Sequence, residues 1–75
     1  MTFSDLINKA ASYDQESIEL DINLDLNVDS EVYRAYTVSI AYCDLMFYTD
    51  KGILTYVVDK YKHKNVAELY SVEKY

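Results

Sequence analysis

The sequence contains no proline and no tryptophan, and it has one glycine, one cysteine and one histidine. Each shortage removes a class of protein. A single cysteine, Cys43, rules out an intrachain disulfide. Together with the lone His63 it falls short of the four ligands of a structural zinc site. With Gly52 as the only glycine, no glycine-rich turn exists to cradle a phosphate or a dinucleotide. No apolar run reaches the roughly 18 residues of a membrane span. The N-terminus lacks the basic flank and apolar core of a secretory signal. These shortages predict a chain with no membrane partner and no cofactor, and the lone thiol fits a reducing cytoplasm.

Seventy-five residues allow one domain, spanning 1–75, and no repeat or low-complexity linker divides it. A domain this short buries only about 60% of its unfolded surface. Its stability must come from a compact core or from a second copy of the chain, so a monomer–dimer equilibrium or a stable dimer is expected. Hydrophobic residues make up 51% of the sequence, enough for a core to form.

Bases are scarce as well: Lys and Arg number 7 against 13 Asp and Glu, for a net charge of −6. The imbalance is concentrated. Asp14, Glu16, Glu19, Asp21, Asp25, Asp29 and Glu31 follow one another with no base between them. Such a surface repels nucleic acid and lipid headgroups and attracts basic protein surfaces.

What is plentiful is alternation. Between Ser17 and Val28 the apolar residues Ile18, Leu20, Ile22, Leu24, Leu26 and Val28 alternate with polar, mostly acidic ones. Period two predicts a half-buried strand, greasy on one face and lined by carboxylates and amides on the other. Ahead of it, Phe3, Leu6, Ile7, Ala10 and Ala11 form one stripe of an amphipathic helix over 2–13. Thr2 with Asp5 resembles a capping box at its start, with Ser4 as a rival cap.

Asp29-Ser30-Glu31 predicts a tight connection to a second strand over 32–42. There Val32, Tyr36, Val38, Ile40 and Tyr42 share one face, and the smaller Ala35, Thr37, Ser39 and Ala41 share the other with Tyr33. Small residues on that face point to an element packed close against it, such as a helix. Parity shifts at Cys43-Asp44, which reads as a bulge in one long bent strand or as a turn, the bent strand being preferred. Residues 45–49 and 53–61 form a hairpin closed by Asp50-Lys51-Gly52, with Gly52 left-handed. Both of its strands are apolar on both faces, as central or doubly covered strands are. Asn65 and Glu68 form a second capping-box pattern, predicting a short C-terminal helix with Val66, Leu69 and Tyr70 inward. The expected fold is α+β, in the order α-β-β-β-α: a small antiparallel sheet of three or four strands, an N-terminal helix and a short C-terminal helix.

Catalytic and metal patterns are incomplete. Asp21, Asn23 and Asp25 match the first half of a calcium loop, but Leu26 and Val32 stand where that loop needs Gly and Glu. Cys43 and His63 have no third residue to orient them as a nucleophile and base. Lys60, Lys62 and Lys64 read as a solvated strand end rather than a phosphate strip, given the opposite overall charge. No catalytic or metal residue is assigned, and no enzyme is expected. The nine tyrosines exceed what so small a core can hide, so some aromatic surface lies exposed beside the acids.

With its opening Met1 and Asp5-Leu6-Ile7, an acidic balance and the expected order of elements, the chain resembles the small phage anti-CRISPR proteins. These inhibit RNA-guided nucleases as DNA mimics. The resemblance implies a viral inhibitor of host defence, acting in the host cytoplasm on a basic nuclease or other nucleic-acid-binding protein. Here the acids lie on the first strand rather than in late loops and helices, so no binding residue is carried over. The residues themselves nominate Asp14, Glu16, Glu19, Asp21, Asp25, Asp29 and Glu31 as the surface that meets a basic partner. The alternative is an interaction module of immunity or antitoxin type, or a small structural homodimer, working through tyrosine and apolar surface.

Overall fold

Three aromatic rings mark where the core sits. Phe3, Phe47 and Tyr56 meet in a triangle: Phe3 stacks on Phe47 with centroids 5.6 Å apart. Tyr56 stands edge-on to both, at 5.5 and 5.6 Å. Such pairs add to the stabilisation from burial alone. The computed structural model describes residues 2–12, 14–59 and 66–75. It places these rings between one helix, α1 (Phe3–Ala11), and one face of a five-stranded antiparallel sheet. The strands are β1 (Gln15–Val28), β2 (Glu31–Ala41), β3 (Asp44–Thr49), β4 (Gly52–Val58) and β5 (Ala67–Lys74), and they lie side by side in that order.

α1 forms as its stripe predicts. Thr2 caps it, its hydroxyl accepting from the Asp5 N–H while the Asp5 carboxylate accepts from the Thr2 N–H. Leu6, Ile7 and Ala10 are buried against the sheet. Beneath them lie Val38 and Ile40 of β2, Leu45 and Phe47 of β3, and Leu54, Tyr56 and Val58 of β4. Each large side chain there contributes about 1.5–3 kcal/mol by leaving water.

The expected α-β-β-β-α fold is corrected to a mostly β one. Residues 67–74 hold no helix; they form β5, paired along β4 from Gly52↔Lys74 to Val58↔Ala67. The capping pattern at Asn65 and Glu68 lost to the exposed edge of β4, whose backbone groups need partners. Asn65 itself lies outside the described residues, as do Tyr13 and residues 60–65 with His63 and the three alternating lysines. The parity shift at Cys43 is a turn, not a bend. Tyr42 and Cys43 both have positive φ, 47° and 72°, closing a two-residue hairpin between β2 and β3. Asp29 and Ser30, at 51° and 65°, close β1 to β2 in the same manner. The sheet therefore has five strands, and the element order on which the anti-CRISPR likeness drew, with its helical C-terminus, is not the order of this chain.

Three irregularities shape the sheet, one of them the extra residue Tyr70 of β5 between the pairs Thr55↔Ser71 and Tyr56↔Leu69. Tyr36 is an extra residue in β2, since Ala35 pairs with Thr49 and Thr37 with Tyr48. Opposite it, β1 inserts four residues, Leu20 to Asn23, between the pairs Glu19↔Thr37 and Leu24↔Ala35. Such bulges bend a strand, and the single extra residue reverses the facing of β2. Hence Tyr33 and Ala35 are buried with Val38 and Ile40, although the alternation put them on opposite faces. Leu20 turns inward, while Ile22 is 89% exposed.

Candidate functional site: the helix-free face of the sheet

Residues paired directly across neighbouring strands point to the same side, so the register identifies what α1 leaves bare. One cross-sheet row reads Glu19, Thr37, Tyr48, Ile53, Glu73 from β1 to β5. The next reads Ser17, Ser39, Met46, Thr55, Ser71. The third reads Gln15, Ala41, Asp44, Val57, Glu68. The centre of this face is apolar or aromatic on β3 and β4, and acids stand at its margins. No described element packs on it; α1 lies on the opposite side, against β2, β3 and β4.

Aromatic surface continues from this face. Tyr36, Val57 and Tyr75 are exposed. The Tyr75 hydroxyl hydrogen-bonds Tyr36, which holds its pKa above the ordinary value of 10.0, and Tyr48 is near enough to add to the effect. The Tyr75 N–H is anchored to the Lys51 carbonyl at 3.1 Å.

The acids nominated from the sequence are dispersed. Glu19 belongs to the bare face, and Asp25, beyond the bulge, shares it with Arg34. Glu16 and Glu31 pair with Ile40 and Val28, which puts them on the helix side. Asp21 sits in the bulge, Asp29 in the β1–β2 turn and Asp14 ahead of β1; all three are exposed. Three of the seven are held by bases of this chain: Glu16 by Lys9 at 2.7 Å, Asp25 by Arg34 at 3.1 Å and Glu31 by Lys74 at 2.8 Å. The Lys74 ammonium lowers the Glu31 pKa below 4.5, and Lys74 is raised in return. Lys9 is raised above 10.5 chiefly by its hydrogen bond to Glu16. Lys51 donates to the Val32 carbonyl. Lys51 and Lys74 also stand over the ring of buried Tyr33, at 5.7 and 5.9 Å.

Every described base is thus engaged within the molecule. Sequence reasoning passed over Met46, Tyr48, Ile53, Val57 and Glu73. Their signal was present in β3 and β4, which are apolar on both faces, the pattern of central or doubly covered strands; both are central strands, and among the described residues one face alone is covered.

Among the described residues no three His, Cys, Asp or Glu side chains are grouped to hold a metal ion. No described helix is long and apolar enough to cross a membrane. A shallow cleft of about 340 Å³ opens at the β1 bulge, lined by Ile18 to Ile22, and contains no nucleophile with a base. The chain matches no protein-family model, no curated protein and no solved structure.

Proposed function

We propose that this chain is a non-catalytic binding protein that docks a basic protein through the helix-free face of its sheet. The carrying observation is that face: an apolar and aromatic centre on β3 and β4, bounded by acids at β1 and β5, with no described layer over it. A sheet face of this kind is a standard place for a second layer, and tyrosines beside it suit an interface because a ring buries area while its hydroxyl finds a partner. Glu19, Asp25, Asp44 and Glu73 lie on that side, where Arg34 is the one base among the described residues. Charge complementarity therefore selects a basic partner and disfavours a second copy laid face to face. A nucleic-acid-handling protein, a nuclease of host defence included, presents such a basic surface, and the chain would inhibit it by occupying that surface.

The test compares three full-length proteins as baits in host lysate, with bound proteins identified by mass spectrometry. Wild type and the double variant Asp21→Asn/Asp29→Asn are expected to retain one basic protein. Ile53→Lys/Glu73→Lys, on the bare face, is expected to lose it. Duplex DNA displacing the partner supports the nucleic-acid-handling class. Retention by the bare-face variant together with loss from the β1 variant would move the interface to β1 and overturn this reading.

A further inference from the structure

Resting on that docking face, we propose that its occupant is a basic amphipathic helix of the partner, laid along β3. The central strands supply the apolar floor: Met46 and Tyr48 on β3, Ile53 and Val57 on β4. The flanking carboxylates of Glu19 and Glu73 lie in the Tyr48 row but at the two outer strands. Neighbouring strands stand about 4.8 Å apart, so each carboxylate-bearing strand is roughly 10 Å from the floor's midline. An α-helix with its side chains is about 10–12 Å across. One seated over β3 therefore puts an apolar stripe on the floor and its flanks above the acids, within reach of Lys or Arg. β3 has 6 residues, about 20 Å of strand, which matches roughly thirteen residues of helix.

The floor's composition fits a close-packed helix. Thr37, Ser39 and Ala41 of β2 and Thr55 of β4 are small residues on this face, which lets a cylinder settle against the sheet. The other side of the same sheet already accepts a helix: α1 buries Leu6, Ile7 and Ala10 there. A partner helix would complete a three-layer arrangement, helix on sheet on helix. A second copy of this chain is a poorer occupant, because its own helix is spent on its own core and its bare face repeats the same acids. Basic flanks on both sides of the apolar stripe, rather than on one, are the recognition chemistry the two acidic margins demand.

The probe is a labelled synthetic peptide of about fourteen residues with leucines at helical spacing and lysines on both flanks. Its controls are a scrambled peptide of equal composition and a version with glutamate flanks. Fluorescence anisotropy with the full chain is expected to show binding of the amphipathic peptide at least about tenfold tighter than the scrambled one, weakening as salt rises from about 50 to about 500 mM. The glutamate version should not bind. Glu19→Gln/Glu73→Gln, which leaves the floor intact, should weaken binding several-fold.

Backbone amide shifts on the wild-type chain give a readout independent of any variant's folding, and should change on β3, β4 and their neighbours and not on α1. Equal binding of the scrambled peptide, or shifts confined to α1 or the β1 bulge, overturns the proposal. So does sedimentation at about 100 μM, where weak association becomes visible, showing a dimer whose interface is this face. If no peptide binds while Ile53→Lys/Glu73→Lys still loses the lysate protein, the helix is overturned and the docking face stands. Loss of both results overturns the docking face too.

Discussion

Gly52 and Thr49 show how single residues hold the sheet's far corner. A Cβ on Gly52 would lie 2.3 Å from the Glu73 carbonyl oxygen and 2.8 Å from the Lys74 Cα. The only glycine is therefore required by the close approach of β5. Beside it, the buried Thr49 hydroxyl donates to the Gly52 carbonyl at 2.7 Å. It also accepts from the N–H groups of Lys51 and Gly52, at 3.2 and 3.1 Å. Gly52→Ala must push β5 away, and is expected to cost about 1–3 kcal/mol, as overpacking does. Denaturant unfolding measures the cost, and amide exchange should show the loss of protection concentrated in residues 67–74. Thr49→Val keeps the shape and removes the hydroxyl, leaving buried N–H groups unpaired at about 1–3 kcal/mol. A variant as stable as wild type in urea would show that water replaces the hydroxyl.

At the scale of the element, β1 separates pattern from burial. Its alternation treats Ile22 and Leu26 as equals, yet the inserted stretch opposite Tyr36 puts Ile22 in water and leaves Leu26 buried. Ile22→Asn should change stability by no more than about 0.5 kcal/mol. Leu26→Ala should cost about 2–5 kcal/mol through lost burial and the cavity left behind. Thermal or urea melts of the two variants decide it; similar costs would mean the bulge is absent in solution. The acids of β1 also acquire an ordinary role. β1 is an edge strand, and charges with a bulge keep its open backbone from pairing with another chain.

For the whole molecule, the ion pairs set the pH range of stability. Asp5 and Glu31 are held below their ordinary 3.8 and 4.5, by the Thr2 cap and by Lys74. Their contribution is present at neutral pH and disappears as pH falls through the lowered folded-state values. Lys9 and Lys74 are held above 10.5, by Glu16 and by Glu31. Their contribution is complete below that value and disappears as pH rises through the raised one. A plateau of melting temperature is expected between about pH 5 and 10, with a fall on either side. Glu31→Gln should lower the melting temperature on the plateau, and the gap to wild type should close as pH drops below 4.5. A gap that persists at pH 2–3 would assign Glu31 a packing role instead.

The local chemistry determined α1, its Thr2 cap, the β1–β2 turn and the β3–β4 hairpin, because each depends on neighbours within a few residues; the loop expected at Asp50-Lys51-Gly52 is shorter by one, Gly52 being the first residue of β4. The acidity and the surplus of tyrosine were equally plain in the sequence, and with them the class of partner now proposed. Tertiary structure decided the rest. Residues 67–74 carry a helix signal and a strand-compatible composition together, and the open hydrogen-bonding edge of β4 settled the competition in favour of β5. In β1 the alternation holds for Ile18, Leu20, Leu24, Leu26 and Val28 and fails at Ile22, while β2 changes facing at Tyr36; both departures come from bulges set by the register between strands. The seven acids read as one row but are divided between two faces, a turn, a bulge and the residue ahead of β1. The bare face was assembled from residues of five strands. No stretch of sequence contains it, since only cross-strand register brings Glu19, Tyr48, Ile53 and Glu73 into line.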